Sequence, residues 1–383
     1  MSPRTTLLTL VASILTAACS STSTGGPAVV GCEHPGTFSP TGAMLVPRLD
    51  HLAVSLASGD VLVAGGQNVA SGWLASAEIY DASTGTFSAT GSMTTTRVGV
   101  GVSATRLSTG KVLIVGGQDA SGGIIPTVEL YDPAAGTFAP TGSMQVPRSG
   151  QTATLLPSGE VLVAGGQDEG SDFLASAELY DPSTGTFAAA GSMTMARSGS
   201  MATALASGKV LIAGGAGAQQ VCGPPCGHVS LTTAEIYDPA LGTFTATGSM
   251  TTTSFGSLTT LLPSGKVLFA GGVGPTPSAE LYDPATGTFV STAGLAGDSL
   301  VGALLPSGEL LVVGMTDASG FVTRAAELYD ATHGAFSATG ATATGHGQAP
   351  LTLLSTGEVL IAGGQDVGGG DAPLLASAEL YCP

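Results

Sequence analysis

The sequence predicts an all-β fold: a seven-bladed β-propeller of four-stranded antiparallel blades, closed into a ring by its N-terminal strand. Three observations support this prediction. The tripeptide Glu-(Ile/Leu)-Tyr occurs seven times, beginning at Glu78, Glu129, Glu178, Glu235, Glu280, Glu327 and Glu379. A double glycine precedes six of these copies, and the units repeat every 43 to 57 residues, which is the period of a propeller blade. Glycine accounts for 58 of 383 residues and only 10% are charged, which suits many short strands joined by tight turns.

Each repeat contains four strand signals, which we name a to d in chain order. In the copy 148–193, strand a follows Arg148, strand b is the apolar run Val161–Ala164, strand c is Ala177–Tyr180 and strand d begins at Thr186. Ser-Gly or Thr-Gly joins a to b, and Asp-Pro-x-x-Gly joins c to d in most copies, as in Asp181-Pro-Ser-Thr-Gly; both are turn-forming sequences. Strand b is apolar at every position, which predicts burial on both faces between neighbouring blades.

The two ends of the chain are predicted to share one blade. The last repeat ends after strand c, at Tyr381-Cys382-Pro383, and the missing strand d stands at the other end, in residues 36–42. Pairing these segments removes the sheet edges that an open array would expose. Alignment of the repeats places Cys32 and Cys382 at the same position of the c–d turn, which predicts a disulfide that locks the ring. In the loop-entropy model such a bond adds at most about 5 kcal/mol.

A hydrophobic run before Gly-Gly, followed by a spaced Tyr and a second aromatic residue, resembles the kelch motif. The resemblance covers residues 36–383, which we take as the propeller domain. This domain resembles the central domain of galactose oxidase. Strand d of kelch repeats usually carries Trp, whereas this chain carries Phe38, Phe87, Phe138, Phe187, Phe244, Phe289 and Phe336. The resemblance implies the same architecture with a smaller aromatic packing area.

The N-terminal segment is interpreted as a targeting sequence. A positively charged start, a short apolar stretch and small residues before Cys19 resemble a bacterial lipoprotein signal. The resemblance implies a signal peptide over 1–18, lipid attachment at Cys19 and a flexible tether over 19–35. Lipoproteins usually have Leu where this chain has Thr16, so ordinary signal-peptidase cleavage, giving a secreted or periplasmic protein, is the alternative. Ser20, by resemblance to sorting rules, favours the outer membrane as the location of the lipid anchor.

The formal net charge of −17 disfavours nucleic acid as a partner, because phosphate backbones carry the same sign. It also disfavours attachment to anionic lipid through a basic patch, so membrane contact is expected only through the N-terminal lipid. We expect the protein to be a monomer.

The remaining cysteines fit an exported protein. After the lipid site and the ring-closing pair are assigned, Cys222 and Cys226 remain and predict a second disulfide. The alternative is a metal site of Cys222, Cys226 and His228, which has only three ligands in one loop. No metal and no cofactor are therefore expected.

Strand direction divides the connections between two faces. The d–a and b–c connections share one face, which we call the loop face, and the a–b and c–d turns share the other, the turn face. The turn face repeats nearly identical sequences, whereas the b–c connections span 12, 12, 12, 20, 8, 12 and 15 residues from the second glycine position to Glu. Variable loops on a uniform scaffold predict that a ligand binds to the loop face.

Four arginines occupy the same position before strand a in consecutive blades, namely Arg48, Arg97, Arg148 and Arg197. In an acidic protein this cluster indicates a ligand with a carboxylate or sulfate group, or an acidic peptide. Kelch domains that bind peptides use residues at and next to this position. The alternative is that each arginine pairs with the strand c Glu of its own or a neighbouring blade. That alternative leaves Glu280, Glu327 and Glu379 unexplained, because their blades lack the arginine.

Two aromatic residues, Trp73 and Phe173, lie five residues before Glu in equivalent b–c connections. They are candidates to stack on sugar rings or to anchor a peptide. The alternative is that they cover the edge of the blade, which Ile124 and Leu374 at the same offset favour. The Cys222–Cys226 insertion makes the longest loop, which either overhangs the channel mouth or is a stapled surface loop.

Kelch relatives include enzymes, namely galactose oxidase and sialic acid mutarotases. The copper site of galactose oxidase needs two Tyr, two His and a Cys crosslinked to Tyr. The five histidines of this chain fall at unrelated repeat positions: His34, His51, His228, His333 and His346. No nucleophile, base and orienting group can be assembled from them and the loop carboxylates. The leading hypothesis is a non-catalytic binding module of the cell envelope for a protein or glycan, including an anionic one. The alternative is a carbohydrate-active enzyme, such as a mutarotase or lyase, whose arginines hold a sugar carboxylate.

Overall fold

The computed structural model describes residues 34–97, 101–218, 228–253, 258–271, 279–297, 301–317, 319–368 and 372–383. These residues form seven four-stranded antiparallel sheets and two short hairpins, and none of them is in a helix. Each sheet is one blade, and contacts between the innermost strands of successive blades, including the seventh and the first, close the ring. The predicted fold class is confirmed. Nothing in the described ranges forms a helix long and apolar enough to cross a membrane.

The strands of the seven blades have the following bounds, given in each case from blade 1 to blade 7. Strand a is Leu52–Ser55, Ser103–Arg106, Thr152–Leu155, Met201–Ala204, Leu258–Leu261, Val301–Leu304 and Leu351–Leu353. Strand b is Val61–Ala64, Val112–Val115, Val161–Ala164, Val210–Ala213, Val267–Ala270, Leu310–Val313 and Val359–Ala362. Strand c is Ala77–Asp81, Glu129–Asp132, Ser176–Asp181, Ala234–Asp238, Ala279–Asp283, Ala326–Asp330 and Ala378–Cys382. Strand d is Thr86–Ala89, Thr137–Pro140, Thr186–Ser192, Thr243–Ala246, Thr288–Thr292, Ala335–Ala338 and Thr37–Pro40.

The core is a ring of layers between blades. Strand b is fully buried in every blade, as its uninterrupted apolar sequence predicts. Seven hydrophobic clusters are present, and each combines residues of two neighbouring blades. In one of them, Val61 and Val63 of blade 1 pack with Leu360 and Ala362 of blade 7. Each blade therefore depends on both neighbours for the burial of its apolar surface.

An aromatic pair links strands c and d in all seven blades. The ring centroids of Tyr on strand c and Phe on strand d lie 4.7 to 5.0 Å apart, and the rings are tilted. Six tyrosine hydroxyls bond the hydroxyl of a threonine at or just after the end of strand d of the preceding blade, at 2.8 to 3.2 Å. In the remaining case Ala190 occupies the threonine position, and the buried hydroxyl of Tyr237 has no hydrogen-bond partner.

The N-terminal strand completes blade 7, as predicted. Thr37 pairs with Cys382 and Pro40 with Glu379 in an antiparallel register. The N–H of Gly36 donates to the carbonyl of Cys382 at 2.7 Å, the bond that closes a continuous c–d turn in the other blades. Cys382 is disulfide-bonded. Its predicted partner, Cys32, lies outside the described residues, so the pairing itself stays a prediction.

Candidate functional site

The turn face is uniform in structure as well as in sequence. In each a–b turn the last leucine before the turn and the turn glycine make the same two backbone hydrogen bonds, as Leu56 and Gly59 do in blade 1. In each continuous c–d turn the glycine N–H donates to the carbonyl of the strand c Asp, and the Asp side chain accepts backbone N–H groups. Because these polar groups are satisfied within the turns, this face offers the same scaffold in every blade.

The loop face is irregular. Two b–c connections form small hairpins, Gln67–Asn68 with Gly72–Trp73 in blade 1 and Ala216–Ala218 with His228–Ser230 in blade 4. Several tips are held by an Asn or Asp side chain that accepts two backbone N–H groups, as Asp168 does from Gly170 and Asp172. Such Asx turns fix the backbone locally and leave the following residues exposed. Among the described residues of the b–c connections, three large apolar side chains are exposed, Val69 by 88%, Phe321 by 47% and Val367 by 38%.

The four arginines are not on the surface of the loop face. Each is buried, with at most 1% of the residue exposed. Each pairs with the strand c Glu of its own blade, as Arg48–Glu78, Arg97–Glu129, Arg148–Glu178 and Arg197–Glu235, at distances of 2.7, 3.2, 2.8 and 3.1 Å. The structure therefore supports the ion-pair alternative. We correct the predicted ligand-binding role of these arginines to a structural one, since burial leaves no guanidinium N–H facing a ligand.

The surroundings of Arg148 show what the pair does. Its Nη1 donates to the carbonyls of Gly165 and Ser176 at 2.8 and 2.9 Å, and its Nη2 donates to Glu178 Oε1. The Glu178 carboxylate also accepts the N–H groups of Gln145 and Val146. Arginine thus ties the end of strand b to strand c, and glutamate ties strand c to the d–a connection. Burial lowers the pKa of the Arg148 guanidinium, and the bond and charge of Glu178 oppose that shift.

All seven strand c glutamates accept backbone N–H groups from the d–a connection of their blade. This explains why Glu280, Glu327 and Glu379 recur without an arginine. In blade 5 the hydroxyl of Thr252 also donates to Glu280, at 2.6 Å. The glutamate therefore serves the backbone of the loop in every blade, whatever its other partner.

His346 replaces the arginine in blade 7. The residue after it, Gly347, bridges Gln365 as Ser149 bridges Gln167 after Arg148, so the two positions correspond. Its ring is bonded to the Gly363 carbonyl at 2.8 Å and to Glu379 Oε1 at 3.0 Å, the partners that arginine takes in blades 1 to 4. His346 therefore stands at the arginine position, although the five histidines do fall at different repeat positions, as predicted. Burial raises the pKa of Glu379, but bonds from His346 and the N–H groups of Ala343 and Thr344 outweigh it and lower the pKa.

Trp73 and Phe173 lie at corresponding places in their b–c connections. Trp73 is directly opposite Gln67 in the hairpin of blade 1, and Phe173 bridges Gln167 in blade 3. Both aromatic residues are half-buried. Ile124 and Leu374 form the equivalent bridges in blades 2 and 7, so the position also covers the blade edge. The predicted role in ligand binding stays a prediction.

Several predicted sites lie outside the described residues. These are the lipidation site Cys19, the disulfide partner Cys32, and the loop cysteines Cys222 and Cys226. Within the described ranges, no three His, Cys, Asp or Glu side chains are placed to hold a metal ion together. A cavity of about 300 Å³ lies between the innermost strands of blades 5 to 7, lined by Leu258, Thr259, Thr260, Val301, Gly302, Pro350 and Leu351. None of these lining residues is titratable.

Nothing in the sequence assigns a site role to four residues at the seam between blades 7 and 1, namely Asp50, His51, Gln67 and His346. His51 is buried, and loss of hydration together with the nearby charge of Arg48 lowers the pKa of its imidazole to about 3. Asp50 has a φ of +54°, at a position where blades 3 and 4 have Gly150 and Gly199. A residue-by-residue alignment of the d–a connections would have marked the Gly-to-Asp change, because the positive φ favours glycine.

Comparison with known proteins identifies the repeat. Residues 151–194 match the family described as the Kelch motif. The chain is a β-propeller that carries a kelch motif. No curated protein matches the sequence significantly.

The solved structures that resemble the propeller include the following two. One is a fungal alcohol oxidase of the AA5 family in complex with copper, 18% identical, with a TM-score of 0.70; the match covers 91% of this chain and 77% of the oxidase. The other is YjhT, 13% identical, with a TM-score of 0.58, covering 77% of this chain and 98% of YjhT. At these identities the likeness shows the fold alone.

The residues of the propeller do not fit a copper centre of the galactose oxidase type. Its tyrosines all stand on strand c with at most 2% of each residue exposed, and six of the hydroxyls bond threonine. Both ring nitrogens of His346 are bonded within blade 7. Two Tyr and two His therefore do not converge on an open site among the described residues.

Proposed function

We propose that the propeller is a non-catalytic binding module of the cell envelope that recognises a protein or glycan through its loop face. The observation that carries this proposal is the contrast between the two faces. The turn face repeats one set of internally satisfied turns, whereas the loop face has connections of different length with exposed apolar side chains such as Val69 and Phe321. Exposed apolar residues at the tips of anchored loops are suited to contact a partner.

The charges on the loop face favour a ligand without a strong negative charge. Three lysines lie on the turn face and pair with c–d turn aspartates, as Lys111 does with Asp132. The four arginines before strand a are buried in ion pairs, and Arg106 ends a strand that runs towards the turn face. Of the basic residues that the structure describes, Arg324 alone is exposed on the loop face. The preference for an anionic ligand that the arginine cluster suggested is therefore not part of this proposal.

The position of the N-terminus supports the orientation that such a module needs. The described chain begins at His34, and Gly36 bonds Cys382 on the turn face. A lipid at Cys19 would therefore be connected through the flexible tether to the turn face, which leaves the loop face unobstructed. If signal-peptidase cleavage removes the anchor instead, the loop face is equally accessible in a secreted or periplasmic protein.

The proposal is tested by binding wild-type protein to two arrays, one of neutral and acidic glycans and one of synthetic peptides. Val69→Asp and Phe321→Asp place a charge on the loop face, and we expect them to weaken the binding by at least about tenfold. Leu241→Asp is the matched control, because Leu241 is 72% exposed on a c–d turn.

Two results would overturn the proposal. One is binding that is lost in Leu241→Asp but kept in both loop-face variants. The other is chemical conversion of any arrayed sugar by the wild-type protein, which would favour a carbohydrate-active enzyme.

A further inference from the structure

We propose that blade 1 contains a binding subsite for a neutral sugar, formed by Trp73, Gln67 and Asp50 beside the channel mouth. This inference rests on the proposed function, since it names a ligand class for the loop face. The three residues come from two different connections, the d–a connection before strand a and the hairpin after strand b. Their juxtaposition follows from the contacts between these connections.

The backbone of Gln67 holds the two connections together. Gln67 and Leu49 exchange both backbone hydrogen bonds, at 2.9 and 3.0 Å. The side chain of Gln67 donates from Nε2 to Oδ2 of Asp50 at 3.0 Å. Trp73 is directly opposite Gln67 in the antiparallel hairpin, and side chains at such positions lie on the same face with Cβ atoms about 5 Å apart. Carboxylate, carboxamide and indole thus form one continuous cluster.

Asp50 is held in a backbone conformation that favours glycine. Its φ is +54°, and the corresponding Gly150 and Gly199 have φ of +70° and +62°. In blade 3 a Cβ on Gly150 would meet the Ser198 hydroxyl, which would have to rotate away. Blade 7 also carries a polar side chain at this position, Gln348, with a φ of +57°, and Asp is one of the few residues that tolerate this conformation. Burial raises the pKa of the Asp50 carboxyl, and the bond from Gln67 opposes that shift.

The chemistry of the cluster fits a sugar ring. Trp73 is half-buried and offers an aromatic surface to the apolar C–H groups of a pyranose. Among the described residues, Gln67 alone hydrogen-bonds the Asp50 carboxylate, which leaves acceptor capacity for sugar hydroxyls. A few convergent polar groups beside an aromatic surface are typical of small-ligand sites. The negative charge of Asp50 disfavours acidic sugars, so a neutral sugar is the expected ligand.

Blade 3 shows which part of the cluster is specific to blade 1. Phe173 bridges Gln167 there, in the same arrangement as Trp73 and Gln67. Gly150, however, replaces Asp50. The hairpin with its aromatic residue and glutamine is therefore shared scaffold, whereas the carboxylate is added in blade 1.

The test uses intrinsic fluorescence, because Trp73 is the single tryptophan of the chain. Purified full-length protein is titrated with neutral oligosaccharides of glucose, galactose and N-acetylglucosamine, and with sialyllactose and oligogalacturonate as acidic probes. We expect a saturable change in the emission of Trp73 with at least one neutral sugar and weaker binding of the acidic probes.

Asp50→Gly separates a binding role from a structural one. Glycine accepts the positive φ, so the thermal midpoint should be unchanged or slightly higher, while the affinity for the sugar falls at least about tenfold. Gln67→Ala should also weaken binding, and Asp50→Asn should keep the fold with an intermediate affinity. Leu241→Ser on the turn face is the control that should change neither property.

The proposal is overturned if no neutral sugar alters the emission, or if Asp50→Gly binds as tightly as wild type. It is also overturned if Asp50→Gly lowers the thermal midpoint strongly, because Asp50 would then be structural. The same variants on the glycan and peptide arrays distinguish the two proposals. Array binding that is lost in Phe321→Asp but kept in Asp50→Gly refutes the subsite and leaves the binding module standing.

Discussion

Blades 1 to 4 and blades 5 to 7 contain the same strand c glutamate, which is buried in every blade except blade 6, but they satisfy it differently. In blades 1 to 4 an arginine neutralises it, in blade 7 His346 takes the place of arginine, and in blade 5 the Thr252 hydroxyl donates to it. The backbone N–H groups of the d–a connection are common to all seven blades. The glutamate is therefore needed to accept the backbone N–H groups of the d–a connection, whereas its positively charged partner can be exchanged.

Replacement of Arg148 should change the stability of the propeller more than the other substitutions that test this difference between the blades. Arg148→Ala leaves Glu178 buried without its cation and removes the guanidinium donor from the Gly165 and Ser176 carbonyls. We expect the free energy of unfolding to fall by about 3–5 kcal/mol, measured by urea denaturation. Arg148→His, which copies blade 7, should lose less. An unchanged unfolding free energy together with weaker ligand binding would return the arginine to a ligand-binding role.

Acid should destabilise the seam between blades 7 and 1 through His51. The folded pKa of about 3 lies below the usual histidine pKa of 6.5, so below pH 6.5 the unfolded chain binds a proton that the folded chain does not. The stability from neutral His51 is complete above pH 6.5 and is lost as the pH falls towards 3, with a limiting slope of about 1.4 kcal/mol per pH unit.

The measurement is the unfolding free energy of wild type and His51→Gln between pH 5 and 6.5. Glutamine at the corresponding position of blade 3 donates to the Val115 carbonyl, so His51→Gln should fold and should show a smaller slope. Equal slopes in the two proteins would contradict the assignment. The lowered pKa of Glu379 contributes at lower pH, since its stabilisation is lost as the pH falls through the folded pKa.

Removing the negative charge of the strand c glutamate should lower the free energy of unfolding more in blades 1 to 4 than in blades 5 to 7. This difference should be smaller than the effect of Arg148→Ala. Glu178→Gln leaves Arg148 buried without a counter-charge, whereas Glu280 has backbone and hydroxyl donors in its described surroundings. We expect Glu178→Gln to cost about 2 kcal/mol more than Glu280→Gln. Chemical denaturation of both single variants tests this, and equal losses would show that arginine does not depend on the charge.

The smallest expected effect is a gain in stability at Tyr237, whose hydroxyl lacks the threonine partner that the other six tyrosines have. Ala190→Thr introduces a hydroxyl beside Tyr237, as threonine does at the other six junctions. A new hydrogen bond to a buried hydroxyl is worth about 1 kcal/mol, which should raise the thermal midpoint. Ala190→Val, of equal shape but without the hydroxyl, is the control. If both variants change stability equally, the gain comes from packing.

Much of the fold could be predicted from the sequence because the blade signal repeats seven times. The burial of strand b, the two faces and the shared blade at the chain ends all follow from period, strand direction and the incomplete last repeat. Trp73 and Phe173 could be placed in equivalent connections for the same reason. The residues that depart from the repeat, such as Asp50 and His346, are harder to interpret, because a single sequence does not show what replaces the usual contact.

The sequence by itself determined the seven repeats, their four strands and the closure of the ring, because local strand and turn signals recur with a fixed order. Only the tertiary structure decided the role of the arginines. Arg148 and Glu178 are 30 residues apart, and the long guanidinium side chain can reach solvent or turn back into its own blade. Packing of strands a, b and c around the double glycine places carbonyls and a carboxylate where that charge is best stabilised. The same packing joins Gln67 to Asp50 from separate connections, and no local pattern in the sequence encodes that contact.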